Sequence, residues 1–280
     1  MRERKFLIWV CTAVVALFVA ASTAFAQSIV LPPAEGDALS RLNTSPRHGE
    51  WVRFNAGGSD TVDAWLVYPE RSGKAPVVIV IHEIYGLTDW VRAVADQFAA
   101  EGFIAIAPDF LSGKGPGGKG SASLDRDSVR LLIRDLDSGE IVRRLDAAAR
   151  YGTSLPAAAS RFGVVGYCWG GGISFSYATE QPNLGAAVVY YGVSPATEKL
   201  SAIKAPVLGL YGGDDNRVNS TIPAAEAEMK RLGKPYDYAL FNGAGHAFLR
   251  NQTDRNGANL KATEKAWPRM ITFLREKLGS

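Results

Sequence analysis

The sequence predicts an α/β fold in which one mostly parallel central sheet carries helices on both faces. Three observations predict it. Runs such as Val77-Val78-Ile79-Val80-Ile81 are continuously apolar and β-branched, the pattern of strands buried on both sides. From Trp51 onward such runs alternate with helical stretches, and repeated strand–helix–strand units imply a parallel sheet covered on both faces. Third, Gly166-Tyr167-Cys168-Trp169-Gly170 joins the short buried strand Phe162 to Val165 to a helix read over Ile173 to Thr179, as a sharp strand–turn–helix junction would.

The elements follow in order. Trp51 to Phe54 and Val62 to Tyr68 alternate apolar and polar residues, as half-buried antiparallel strands do. Val77 to Ile81 is a central strand, Trp90 to Glu101 a helix and Phe103 to Ala107 the next buried strand. Asp127 to Asp137 reads as a charged helix and Glu140 to Tyr151 as a clearly amphipathic one. Gly185 to Tyr191, Pro206 to Tyr211 and Tyr236 to Phe241 complete the strands. Ala224 to Leu232 lies between the last two as a helix, and Thr263 to Lys277 closes the chain. The glycine-rich stretch Gly113 to Gly120 is not a phosphate-binding P-loop, because Lys119 is followed by Gly120 instead of Ser or Thr and no strand runs straight into it.

The termini and bulk numbers narrow the function. Residues 1–26 read as a secretory signal: Arg2, Arg4 and Lys5 form a positive start, Phe6 to Ala21 an apolar run and Ala24-Phe25-Ala26 a small-residue cleavage site, which would leave Gln27 first. A periplasmic or secreted protein is the expectation, without stable membrane association after cleavage; an uncleaved anchor is the rival. Residues 27–50 are rich in Pro, Ser, Asn and Gly without a clear period and read as an extension along the surface of a single domain spanning 51–280. The 280 residues carry a net charge of +3, which falls to about +1 once residues 1–26 are removed. No basic stripe appears, so a nucleic-acid partner is not expected. A monomer is expected. After cleavage Cys168 is the sole cysteine, so it can form no internal disulfide, and a lone thiol in an oxidising compartment is a liability unless buried or used.

Cys168 stands where such use is possible. G-x-C-x-G is the nucleophile-elbow pattern with sulfur in place of the usual serine oxygen. Glycines flank the central residue because side chains there would clash, and the turn lifts the cysteine above the sheet at a helix N-terminus, whose free N–H groups favour a thiolate or an oxyanion. A cysteine nucleophile needs a base and the base an orienting group. Of the three histidines, His48 lies in the irregular extension, His82 ends a strand, and His246 sits in the small-residue loop Gly243-Ala244-Gly245-His246-Ala247-Phe248 after the last strand. A carboxylate just past the Pro206–Tyr211 strand, Asp214 or Asp215, completes the order nucleophile, acid, histidine. His82-Glu83 is no zinc motif, since residue 86 is glycine.

Gly166-Tyr167-Cys168-Trp169-Gly170-Gly171, His82-Glu83-Ile84-Tyr85-Gly86, Tyr190-Tyr191-Gly192-Val193 and Ala244-Gly245-His246-Ala247-Phe248 together resemble the dienelactone hydrolase family, the carboxymethylenebutenolidases of the α/β-hydrolase fold, over about residues 57–278. The resemblance implies a hydrolase of a small ester or lactone with no cofactor and no metal. It favours Asp215 over Asp214, because the family's acid lies three residues before a valine, here Val218. It also implies that Glu83 touches the resting thiol and takes part in ionising it as substrate arrives. The backbone N–H groups of Ile84 and Trp169 would form the oxyanion hole. The family's dienelactone members hold a substrate carboxylate with two arginines; Arg250 and Arg126 are the matching positions, with Arg130 as fallback for the second and Tyr85 beside them. His82 departs from those members, which carry a polar amide there, and this puts the substrate in question. The rival readings are a broader carboxylesterase or thioesterase on the same machinery, a non-catalytic binding module on this fold, and a redox thiol protein. No resolving cysteine supports the last.

Overall fold

A computed structural model describes residues 29–279. The signal sequence read over residues 1–26 lies outside the described residues.

Eight strands form one sheet: β1 (Gly49–Gly57), β2 (Asp60–Val67), β3 (Ala75–Ile81), β4 (Ile104–Pro108), β5 (Ala158–Tyr167), β6 (Ala186–Tyr190), β7 (Val207–Gly212) and β8 (Tyr236–Phe241). Their spatial order is β1-β2-β4-β3-β5-β6-β7-β8. The β1–β2 hairpin pairs antiparallel with Trp51 opposite Trp65, and β2 joins β4 antiparallel with Leu66 opposite Ile106. The remaining neighbours run parallel, so the carboxyl ends of β3, β5, β7 and β8 open on the same edge of the sheet. Every residue of β3 is buried, as its unbroken apolar run requires of a strand covered on both faces.

Helices cover the two faces. On one side α4 (Ser138–Ser154), α5 (Trp169–Glu180) and α7 (Ile222–Arg231), the last preceded by the short α6 (Asn216–Asn219), bury Leu145, Phe175 and Met229 in one cluster with Val77, Ile79 and Val164. On the other, α2 (Asp89–Ala100) and α8 (Ala258–Leu278) bury Trp90, Phe98, Trp267 and Leu274 against Val78, Val80 and Val188. The strands' alternating side chains are thereby divided between two apolar layers. Short polar residues start several helices: Asp125 accepts from the N–H groups of Asp127 and Ser128 at 3.0 and 2.9 Å at the head of α3 (Arg126–Arg134), and Asp137 accepts from Glu140 at 2.9 Å at the head of α4.

Several element boundaries move, the last helix for one starting at Ala258 and not Thr263, and two changes bear on the site. The segment before β1 is not irregular throughout: a 3₁₀ turn, Glu35–Asp37, leads into α1 (Ala38–Thr44), which lies against α2. Only Ala38 and Leu42 face the core from this short helix, too few apolar residues to betray a period. The elbow helix starts at Trp169, four residues earlier than its apolar pattern suggests, because Gly170, Gly171 and Gly172 are helical. Their low intrinsic helix preference is overridden by close packing: a Cβ on Gly170 would lie 2.4 Å from the His82 carbonyl oxygen.

Candidate active site

The elbow ends β5. Cys168 takes φ 57°, ψ −114°, a conformation in which a side chain is strained, and its N–H donates to the Tyr190 carbonyl at 3.0 Å. The turn is tight enough that a Cβ on Gly166 would meet the Gly170 carbonyl oxygen at 1.8 Å, so no larger residue fits there. The loop after β8 delivers the imidazole. Ala247 is also at positive φ, 57°, and its carbonyl accepts from Arg250 and Asn251 at 3.0 and 2.9 Å, which curls the chain back behind His246. His246 Nε2 lies 3.1 Å from Cys168 Sγ. Its Nδ1 lies 2.5 Å from Asp215 Oδ2, a carboxylate that is buried just past β7. Asp214 turns outward and pairs with Arg255 at 2.7 Å. Of the two aspartates left open by the chain order, the one against the imidazole is Asp215.

Burial alone would lower the pKa of His246, but the hydrogen bonds to Asp215 and to the Cys168 sulfur outweigh it, and the imidazole is pushed up to about 9. His82 behaves in the opposite way. Complete burial lowers its pKa, with Asp109 opposing only in part. Its Nε2 accepts from the Phe110 N–H at 3.3 Å while Nδ1 lies 2.7 Å from the Glu83 carbonyl, a pair of contacts satisfied by the neutral imidazole carrying its proton on Nδ1. The ring stacks on Trp169 at 5.5 Å between centroids. His82 therefore ties the ends of β3 and β4 to the elbow and stays uncharged.

Glu83 follows directly and is buried. Its carboxylate makes its hydrogen bond to Arg250 Nε at 2.6 Å, and among the described residues the thiol's side-chain bond goes to His246, not to Glu83. Burial raises the Glu83 pKa, while the charges of Arg250 and His246 pull it back. Arg250 reaches a second carboxylate as well: Nη1 lies 2.5 Å from Glu35 Oε2. Tyr85 is held between two cations, with Arg126 over its ring at 3.9 Å and Arg250 at 5.3 Å.

A cavity of about 670 Å³ opens over the sulfur. Glu83, Ile84, Tyr85, Cys168, Trp169, His246 and Arg250 all line it. Arg126 and Arg130 are not among the lining residues; Arg126 spends its guanidinium on the face of Tyr85, and Arg130 lies near Asp127 at 3.5 Å. The N–H groups of Ile84 and Trp169 face no backbone or side-chain acceptor among the described residues; at Trp169 this follows from its place in the first turn of α5. Sequence reasoning missed Ile173, Ser176, Val193 and Ser194 on the walls, and Arg134 and Arg217. Arg217 carried a signal, standing two residues after Asp215 at the same strand end; Arg134, at the far end of α3, carried none.

The Dienelactone hydrolase family profile matches residues 62–278. The chain belongs to that family. Among its relatives, a Yersinia pestis protein assigned as a carboxymethylenebutenolidase is 30% identical over 254 residues, covering 85% of this chain and 91% of that one. A Bradyrhizobium protein assigned as a 2-oxo-3-(5-oxofuran-2-ylidene)propanoate lactonase is 28% identical, covering 81% and 93%. The crystal structure assigned as a dienelactone hydrolase of Klebsiella pneumoniae superposes with a TM-score of 0.68 at 25% identity, covering 80% of this chain and 98% of that chain. The eight-stranded sheet and its flanking helices are thus the α/β-hydrolase architecture, and the chain is a hydrolase of the ester and lactone class.

Proposed function

We propose that this hydrolase opens a small lactone or carboxylic ester through Cys168, His246 and Asp215. The observation that carries this reading is the 3.1 Å approach of His246 Nε2 to a sulfur raised on a strained elbow, with Asp215 held 2.5 Å behind the ring. With the Cys168 thiol proton passed to His246 Nε2, the sulfur attacks the carbonyl carbon and the carbonyl π pair moves onto oxygen. The N–H groups of Ile84 and Trp169 are the donors available to that oxyanion, and one such donor is worth about 2.7–4 kcal/mol of barrier. The tetrahedral species collapses, the C–O bond to the leaving group breaks, and the alkoxide takes a proton from imidazolium. His246, now neutral, removes a proton from water; the hydroxide adds to the acyl-thioester carbon, and collapse returns the thiol and the acid. Asp215 keeps the ring's Nδ1–H pointed away from the sulfur throughout.

The relatives' assignments as carboxymethylenebutenolidases and as a lactonase support a lactone as substrate. The signal-like residues 1–26 support export to the periplasm or medium. Among the described residues no helix is long and apolar enough to cross a membrane. The test is Cys168→Ala assayed against a panel of lactones, 4-nitrophenyl esters and acyl thioesters. Turnover is expected to fall by about 10⁴-fold or more on whichever class the unsubstituted protein hydrolyses. Activity retained in that variant would remove Cys168 from the chemistry, and the panel separates a lactonase from a general esterase or thioesterase.

A further inference from the structure

The segment ahead of the family match reaches the cavity wall. Pro32 and Pro33 are buried, and their carbonyls accept from Gln252 Nε2 at 2.9 Å and from Trp90 Nε1 at 3.1 Å. Two residues on, the Glu35 N–H donates to the Arg250 carbonyl at 3.0 Å, and Arg250 Nη1 returns a bond to the Glu35 carboxylate at 2.5 Å. Glu35 is thereby held by backbone and side chain to the residue that presents a guanidinium to the cavity. Arg250 already carries Glu83 on Nε, and its own side chain is only 12% exposed. Two carboxylates therefore flank one half-buried cation and together offset its charge toward an arriving anion; Glu35 is itself 47% exposed, so it acts by holding the guanidinium through the direct ion pair, not by a long-range field. Arg134 and Arg217 also line the cavity, but both are solvent-exposed, as Glu35 is, so their fields are screened and only the direct contact of Glu35 with Arg250 bears on that subsite.

We propose that Glu35 is a specificity-determining residue: a carboxylate of the chain itself occupies the cavity's half-buried arginine, so the site accepts uncharged esters and lactones and disfavours those bearing an anion toward Arg250. The proposal rests on the hydrolase reading above. It adds to that reading the substrate class and gives a role to the segment before the sheet.

The test compares kcat/KM at neutral pH for 4-nitrophenyl methyl adipate and 4-nitrophenyl hydrogen adipate, which share a leaving group and chain length and differ by one charge. The unsubstituted protein should prefer the methyl ester. Glu35→Gln keeps the side chain's shape and removes its charge; the anionic-to-neutral ratio should rise about tenfold, mainly through KM, since a charge-assisted contact becomes available at Arg250. Glu35→Ala should move the ratio the same way. Adding Arg250→Met to Glu35→Gln should erase the gain, which a mere loosening of the segment before the sheet would not do. An unsubstituted protein that prefers the anionic ester, a ratio unmoved by both Glu35 variants, or a gain that survives loss of Arg250 would each overturn the proposal while leaving the hydrolase reading intact. Hydrolysis of neither ester, nor of any other in the panel, would bring down both.

Discussion

Cys168 and Ala247 both sit at φ 57°, and between them they hold the sulfur and the imidazole in contact. Strained residues of this kind persist only where surrounding structure over-determines them, here the Tyr190 carbonyl behind the elbow and the two N–H groups gathered on Ala247. The contact leaves a thermodynamic trace. His246 titrates at about 9 in the folded chain, against about 6.5 for a free imidazole. A histidine whose folded pKa is raised adds stability that is complete below the unfolded value and is lost as pH climbs through the folded one. Thermal unfolding of this protein should therefore show a melting temperature that declines between about pH 6.5 and 9, and His246→Gln should flatten that decline over the same window. Parallel profiles for the two proteins would mean that Asp215 and Cys168 do not hold the ring as a cation. His82 makes the contrast: its ring lies among aromatic rings and backbone, and its complete burial outweighs the pull of Asp109, so only His246 is pushed toward the cation.

At the scale of the element, the junction of β5 and α5 depends on the absence of two side chains. A Cβ on Gly166 would stand 1.8 Å from the Gly170 carbonyl oxygen, and the obstacle is backbone, which cannot swing aside as a long side chain can. Gly166→Ala should therefore destabilise the fold by about 3 kcal/mol or more, read as a lower urea midpoint, and should lower activity because the sulfur moves with the turn. An unchanged midpoint would show that the strand and helix can part at little cost. The glycines that make the turn also made it legible, since spacing alone places Cys168 between a strand and a helix. The strands were legible for a similar reason: β3 reads as unbroken β-branched residues from Val77 to Ile81 because both of its faces are buried. His246 and Asp215 were found by chain order, and the choice of Asp215 over Asp214 needed the family pattern, because two adjacent aspartates in a turn look alike until one meets an imidazole and the other Arg255. The partners of Glu83 and Arg126 were not legible. Both depend on which charged or aromatic group arrives from a distant element, Arg250 in one case and Tyr85 in the other, and no local period encodes that.

Over the whole molecule, the sheet separates two apolar layers, and the segment ahead of β1 belongs to the layer that holds α2 and α8. Ile29, Leu31 and Leu42 pack against that layer and Ala38 is buried in it. Polar ties add to this at Pro32, Pro33 and Ser45, the last bonding Asp96 through its hydroxyl at 2.5 Å. The strap thus spans from the outer face of α2 to the loop that carries His246, and links the stability of the layer to the shape of the cavity wall. A chain beginning at Pro46 keeps every strand yet loses these contacts, leaving the indole N–H of Trp90 without its acceptor in a buried site. Each lost bond of that kind costs on the order of 1 kcal/mol, and uncovering the apolar groups adds to it. Relative to a chain beginning at Gln27, the shortened form should be less stable by about 3 kcal/mol in urea unfolding. It should also hydrolyse the anionic adipate ester relatively better, as Glu35→Gln does, because the same carboxylate has gone. Finding the stability loss without the shift in substrate ratio would separate the two roles and leave the strap as a brace alone.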